Sequence, residues 1–142
     1  MIIQLRDKIK NDLISEFEKR QIDTKVFIAS FPDGKESLEV LQKEAKKFAG
    51  KGVVYITYTS ERANQRVGKI YPDYLLIFTV FIFSDNKDSD NDIIEIYELC
   101  RDTLSKSFYI YVGEMSPIKN QNTGIYMAYL QVGVSQIYQG ES

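Results

Sequence analysis

Residues 84–92 read SDNKDSDND, with four aspartates, two asparagines and two serines in nine positions. Clustered side-chain oxygens are what a hard cation such as calcium binds, so calcium coordination is the first chemistry to test. An EF-hand loop needs oxygen ligands at its first, third and fifth positions, a glycine at the sixth and a bidentate glutamate at the twelfth. Counting from Asp88 sets Asp90 and Asp92 correctly, but Ile93 and Leu99 then fall where the glycine and glutamate belong. Counting from Asn86 puts Asn91 and Tyr97 there, and counting from Asp85 puts Lys87 at the third position. Every register fails, so no metal site is expected. The stretch reads instead as a polar loop that opens a helix. Asp92 followed by Glu95 fits a capping box, and the neighbouring carboxylates suit the partial positive charge of a helix N-terminus.

The other chemical candidates are weaker. Glu16, Glu18, Asp23, Glu36 and Glu39 could supply paired carboxylates, but each lies beside lysines on a helix face or loop, as solvated charges do. Cys100 falls in the apolar stripe of a helix, where a thiol behaves as a small core residue. GKG at 50–52 and VGK at 67–69 match too little of a phosphate-binding loop to count. The connector SERANQRVGK sets Arg62, Arg66 and Lys69 against Glu61, which suits either a solvated hairpin tip or a loop facing a partner. No catalytic residue and no cofactor is expected.

What the chain lacks narrows the classes further. It has no His, which excludes Ser–His–Asp and Cys–His triads and histidine-ligated metals. Its one Cys cannot make an intrachain disulfide or a cysteine zinc cluster. A net charge of −2 with no long basic block argues against wholesale coating of nucleic acid. The first residues, MIIQLRDKIKNDL, do not read as a signal peptide. The longest apolar run, YLLIFTVFIF, has 10 residues, about half of what a membrane helix needs. A cytoplasmic protein with no membrane partner is the expectation. Its 10 Tyr and 8 Phe are concentrated in strand-like segments, and tyrosine suits surfaces that are partly buried and partly wet.

The elements that must position these residues follow from periodicity. Ile2, Leu5, Ile9, Leu13 and Phe17 recur at helical spacing, which predicts an amphipathic helix over 2–19. TKVFIAS reads as a short strand, and FPDG as a turn. A second helix is expected over 36–48, with Leu38, Leu41, Ala45 and Phe48 as its stripe and Gly50 as a left-handed C-cap. VVYITYT is a strand, SERANQRVGK its polar connector, and IYPDYLLIFTVFIF the strongest strand, with Pro72 near its start. That strand is apolar on both faces. Tyr74, Leu76, Phe78, Val80 and Ile82 take one side; Leu75, Ile77, Phe81 and Phe83, with Thr79, take the other. It must be covered twice, by helices or by another subunit. A third helix is expected over 92–106, on Ile93, Ile96, Tyr97, Cys100 and Leu104. SFYIYVG, a loop over SPIKNQNTG, and a long strand from IYMAYLQVGVSQIY complete the chain as a hairpin. The 142 residues thus predict one α+β domain with a mostly antiparallel sheet and helices packed on it, in the order α-β-α-β-β-α-β-β.

This order resembles the Mu-like phage tail-terminator (tail-completion) family, similar in architecture to the lambda tail terminator. The resemblance is carried by the opening helix leading to a strand and FPDG, by AGKGVVYITYTS entering the next strand, and by YLLIFTVFIF. A polar loop follows, then the helix DNDIIEIYELCRDTL and two closing strands. It spans nearly the whole chain, although the second helix is lysine-rich and the closing strand lacks the tryptophan often found there. The resemblance implies a non-enzymatic subunit of a homo-oligomeric ring, usually a hexamer, that caps a tail tube and ends its polymerisation. Implied partners are tail-tube subunits, sheath subunits in a contractile tail, and head-completion proteins. DNA is touched only if the tail lumen carries it. Assembly would take place in the host cytoplasm, and the subunit would end in the particle. Arg62, Arg66, Lys69, Tyr74, Leu76 and Phe78 are then the expected subunit or tube contacts. The alternative from another class is a small-ligand or regulatory α+β module with a closed aromatic pocket. A metal-dependent enzyme built on 84–92 is the third.

Overall fold

The structure, a computed structural model, describes residues 1–29, 34–48, 50–64, 73–86, 89–119 and 123–137. Within these ranges, side chains are not described at 34–37, 62–64, 73–74, 111–118 and 135–137. The elements run α1 (Ile2–Lys19), β1 (Thr24–Ile28), α2 (Gly34–Ala45), β2 (Gly52–Asn64), β3 (Asp73–Ser84), α3 (Asn91–Leu104), β4 (Tyr109–Lys119) and β5 (Tyr126–Ile137). This is the predicted α+β order. The strands form one five-stranded sheet in the order β1-β2-β3-β5-β4. Three pairings are antiparallel and one, β1 with β2, is parallel. A parallel neighbour needs a crossover connection, and α2 supplies it.

The two faces of the sheet are covered unequally. Ile9, Leu13 and Phe17 of α1 and Ile93, Ile96, Cys100 and Leu104 of α3 pack on one face, against Val54, Ile56, Leu76, Phe78, Val80, Ile82, Leu130 and Val132. On the other face, Leu41 and Ala45 of α2 meet Val53, Tyr55, Phe83 and Ile125. α1 and α3 of the same chain therefore cover the even-numbered side of β3, while α2 covers only the Phe83 end of its odd-numbered side. Each fully buried large side chain in this core contributes about 1.5–3 kcal/mol of hydrophobic stabilisation.

Several boundaries differ from expectation for local reasons. α2 ends at Ala45 rather than Phe48, so Gly50 is not its C-cap. Gly50 does have positive φ, at 129°, but its role is close approach: a Cβ there would lie 2.7 Å from the Asp23 carbonyl oxygen. That same carbonyl accepts a hydrogen bond from the Lys51 amide at 2.8 Å, which ties the start of β2 to the turn before β1. β2 continues through Asn64, because residues of the expected polar connector pair with β3 from Ser60 to Asn64 after a bulge at Thr59. β4 runs on to Lys119 through what read as a loop, with a register break between Glu114 and Ile118. Pro117 lies in that break, on an edge strand, where a residue without an N–H is tolerated. Pro72, expected near the start of β3, lies outside the described residues.

Candidate interaction surfaces

The acidic stretch does serve a helix, but not by the expected cap. α3 begins at Asn91 with Asp90 as its N-cap residue, and the Asp90 side chain makes no capping hydrogen bond. The Asn91 amide donates instead to Ser89 Oγ at 3.1 Å, and the Ile94 amide donates to the Asp90 carbonyl at 3.1 Å. Asp92 sits inside the first turn, where its carboxylate accepts from Asn86 Nδ2 at 3.1 Å. Glu95 turns away to pair with Lys51 Nζ at 3.2 Å. The capping box of Asp92 and Glu95 is thus corrected: one residue closes the loop, and the other clamps α3 to the start of β2. Ser84 Oγ reinforces the same junction by donating to the Lys51 carbonyl at 2.8 Å. Among the described residues, no cluster of acidic and thiol groups is arranged to hold a metal.

The expected contact residues separate into three groups. Leu76 and Phe78 are 4% and 0% exposed and belong to the subunit's own core, so they are not surface contacts. The double apolar pattern suggested contact because a sequence does not say whether the covering face comes from the same chain. Arg62 and Tyr74 lie on the paired arms of the β2–β3 hairpin, opposite Leu75 and Ala63 respectively, and their side chains are not described. Arg66 and Lys69 lie outside the described residues. Among the described residues, β1 accompanies β2 only from Gly52 to Ile56, so Thr57–Asn64 have β3 alone as a neighbour.

Cys100 is fully buried, and burial pushes its thiol well above the usual range, which fits a core residue and not a nucleophile. Burial also raises the Tyr55 hydroxyl to about 12, with Glu44 adding a smaller push in the same direction. Glu16 is held below the usual carboxylate range, first by its hydrogen bond from Arg20 Nε at 3.0 Å.

Three surface features escaped the sequence reading. An open groove of about 490 Å³ runs between the end of α1 and α3, lined by Glu16, Arg20, Glu95, Glu98, Asp102 and Lys106 among others. A polar row crosses three strands on the face that carries α2: Thr59 and Thr79 share a hydroxyl hydrogen bond, and Gln131 Nε2 donates to Thr79 Oγ1 at 3.1 Å. The third is an open hollow of about 330 Å³ at the end of α2, lined by Val40, Lys43 and Glu44 of the helix and by Lys47 and Phe48 just beyond it, with Phe48 also packed on the sheet-side core. Val40 is 61% exposed there. Its spacing of three and four residues was readable as a helical face. The signal was masked because Leu38, Leu41 and Ala45 form a competing stripe toward the sheet.

Among the described residues, no helix is long and apolar enough to cross a membrane. No protein-family model matches the chain, and no curated protein matches it.

Proposed function

We propose that this chain is a structural assembly subunit of a phage or phage-like contractile tail. It forms a homo-oligomeric ring that caps the tail tube, ends tube polymerisation and presents a surface to the head-joining proteins. The reading rests on the family resemblance of the sequence. The single observation that supports it best is that the resemblance segments among the described residues build the sheet and its covering helices in the expected order, Phe31–Asp33 of FPDG lying outside the described residues. Subunits would close head to tail, each using two different patches.

The test is an assembly assay. Added to polymerising tail-tube subunits, the protein should shorten the tubes and leave a ring at one tube end, visible by negative-stain microscopy. Tubes of unchanged length with bare ends would contradict the proposal.

A further inference from the structure

We infer that α2 is a lid that opens on its own, baring the Val53, Tyr55 and Phe83 end of the sheet while the rest of the subunit stays folded. The inference rests on the fold alone and is independent of the ring reading. The two faces of the sheet are held with very different strength. α1 and α3 each seat large side chains that are removed from solvent: Ile9, Leu13 and Phe17 on one, Ile93, Ile96 and Leu104 on the other. Among the described side chains of α2, the buried ones are Leu41 at 9% exposure, Ala45 at 5% and the polar Gln42. Hydrophobic stabilisation follows the apolar area buried, and one leucine and one alanine bring little of it. An element with few buried apolar contacts opens locally at a free energy well below that of global unfolding.

Other contacts point the same way. Among the described residues, none of the ion pairs Lys8–Asp12, Arg20–Glu16, Lys51–Glu95 and Arg101–Asp102 reaches α2, whereas Lys51–Glu95 clamps α3 to the start of β2. The ties beside α2 lie beyond its end. Phe48 packs on Phe27 with ring centroids 5.0 Å apart, and the Lys51 amide donates to the Asp23 carbonyl at 2.8 Å. They hold the exit of the helix in place when its body lifts. Beneath α2, the buried Tyr55 hydroxyl has no hydrogen-bond partner. Lifting the helix returns that hydroxyl to water, so the closed state is less favoured than a fully apolar contact would make it. The bared residues adjoin the row of Thr59, Thr79 and Gln131 on the same face. Opening therefore extends that polar row with an apolar, aromatic surface, and α2 controls access to it.

A race between two thiols tests this. Val53→Cys places a thiol under α2 at a position that is 3% exposed, and the native Cys100, fully buried beneath α3, reports opening of the rest. The folded variant, checked by circular dichroism, is treated with a thiol-alkylating reagent, and each site is followed by mass spectrometry of its peptide. The introduced thiol should react about a hundredfold or more faster than Cys100. Amide hydrogen exchange on the wild-type chain reads the same opening without a reagent or a substitution. The α2 amides should exchange well before those in the central turns of α1 and α3. Equal reaction of the two thiols would overturn the inference, as would exchange of α2 in step with α1 and α3. Either result would leave the ring reading standing.

Discussion

Tyr55 places a hydroxyl under α2 at 2% exposure, with no hydrogen-bond partner among the described residues. Its ring contributes to the core through Phe27 and Phe83, at centroid distances of 5.7 and 5.8 Å. Deleting only the oxygen removes an unpaired buried polar atom, so Tyr55→Phe should be neutral or stabilise by about 1 kcal/mol in a denaturant melt. The same residue sets an alkaline limit. A tyrosine whose folded-state value is raised holds its proton more tightly when folded. Its stabilising effect is complete below pH 10 and is lost as pH rises from 10 toward 12. Wild type should lose stability across that window more steeply than Tyr55→Phe; equal slopes would rule out Tyr55 as the cause. Phe78 distinguishes core from contact just as directly. As a core ring it should cost about 3–5 kcal/mol when replaced by alanine, measured on the dilute subunit. A contact residue would leave that stability unchanged and weaken only assembly. Calorimetry with calcium should give no heat of specific binding, because no group of carboxylates among the described residues is arranged to hold a metal; a saturable exothermic site would reverse that reading.

At the scale of elements, the tightest junction is where β2 begins. A Cβ on Gly52 would stand 2.6 Å from Ile96 Cδ1 and 2.7 Å from the Phe83 carbonyl oxygen. The isoleucine tip can turn aside, but the backbone carbonyl of the paired strand cannot. Gly52→Ala should therefore destabilise by about 1–3 kcal/mol, read as a lower melting temperature. The helices and strands around this junction were legible because each has a clear period. Ile9, Leu13 and Phe17 repeat at helical spacing, and β3 is a continuous apolar run rich in β-branched and aromatic residues. Less legible were features set by a partner distant in sequence. Ser60–Asn64 read as loop because they are polar, yet β3 supplies their ladder. Glu95 read as a cap because its spacing fits, yet Lys51, 44 residues away in sequence, captures it. The α2 stripe was hidden because one helix carries two faces, and spacing alone does not rank them.

At the scale of the molecule, the sheet is closed on one face by two helices and covered over part of the other by α2. The odd-numbered side of the sheet beyond α2 carries the polar row of Thr59, Thr79 and Gln131. The ring proposed above would need two different contact patches on each subunit. The most direct measurement is the sedimentation mass of the purified chain over a wide concentration range at low salt, alone and mixed with tube subunits. A discrete closed oligomer, formed alone or on docking to tube, is the predicted result. A strict monomer under every one of those conditions would contradict the account.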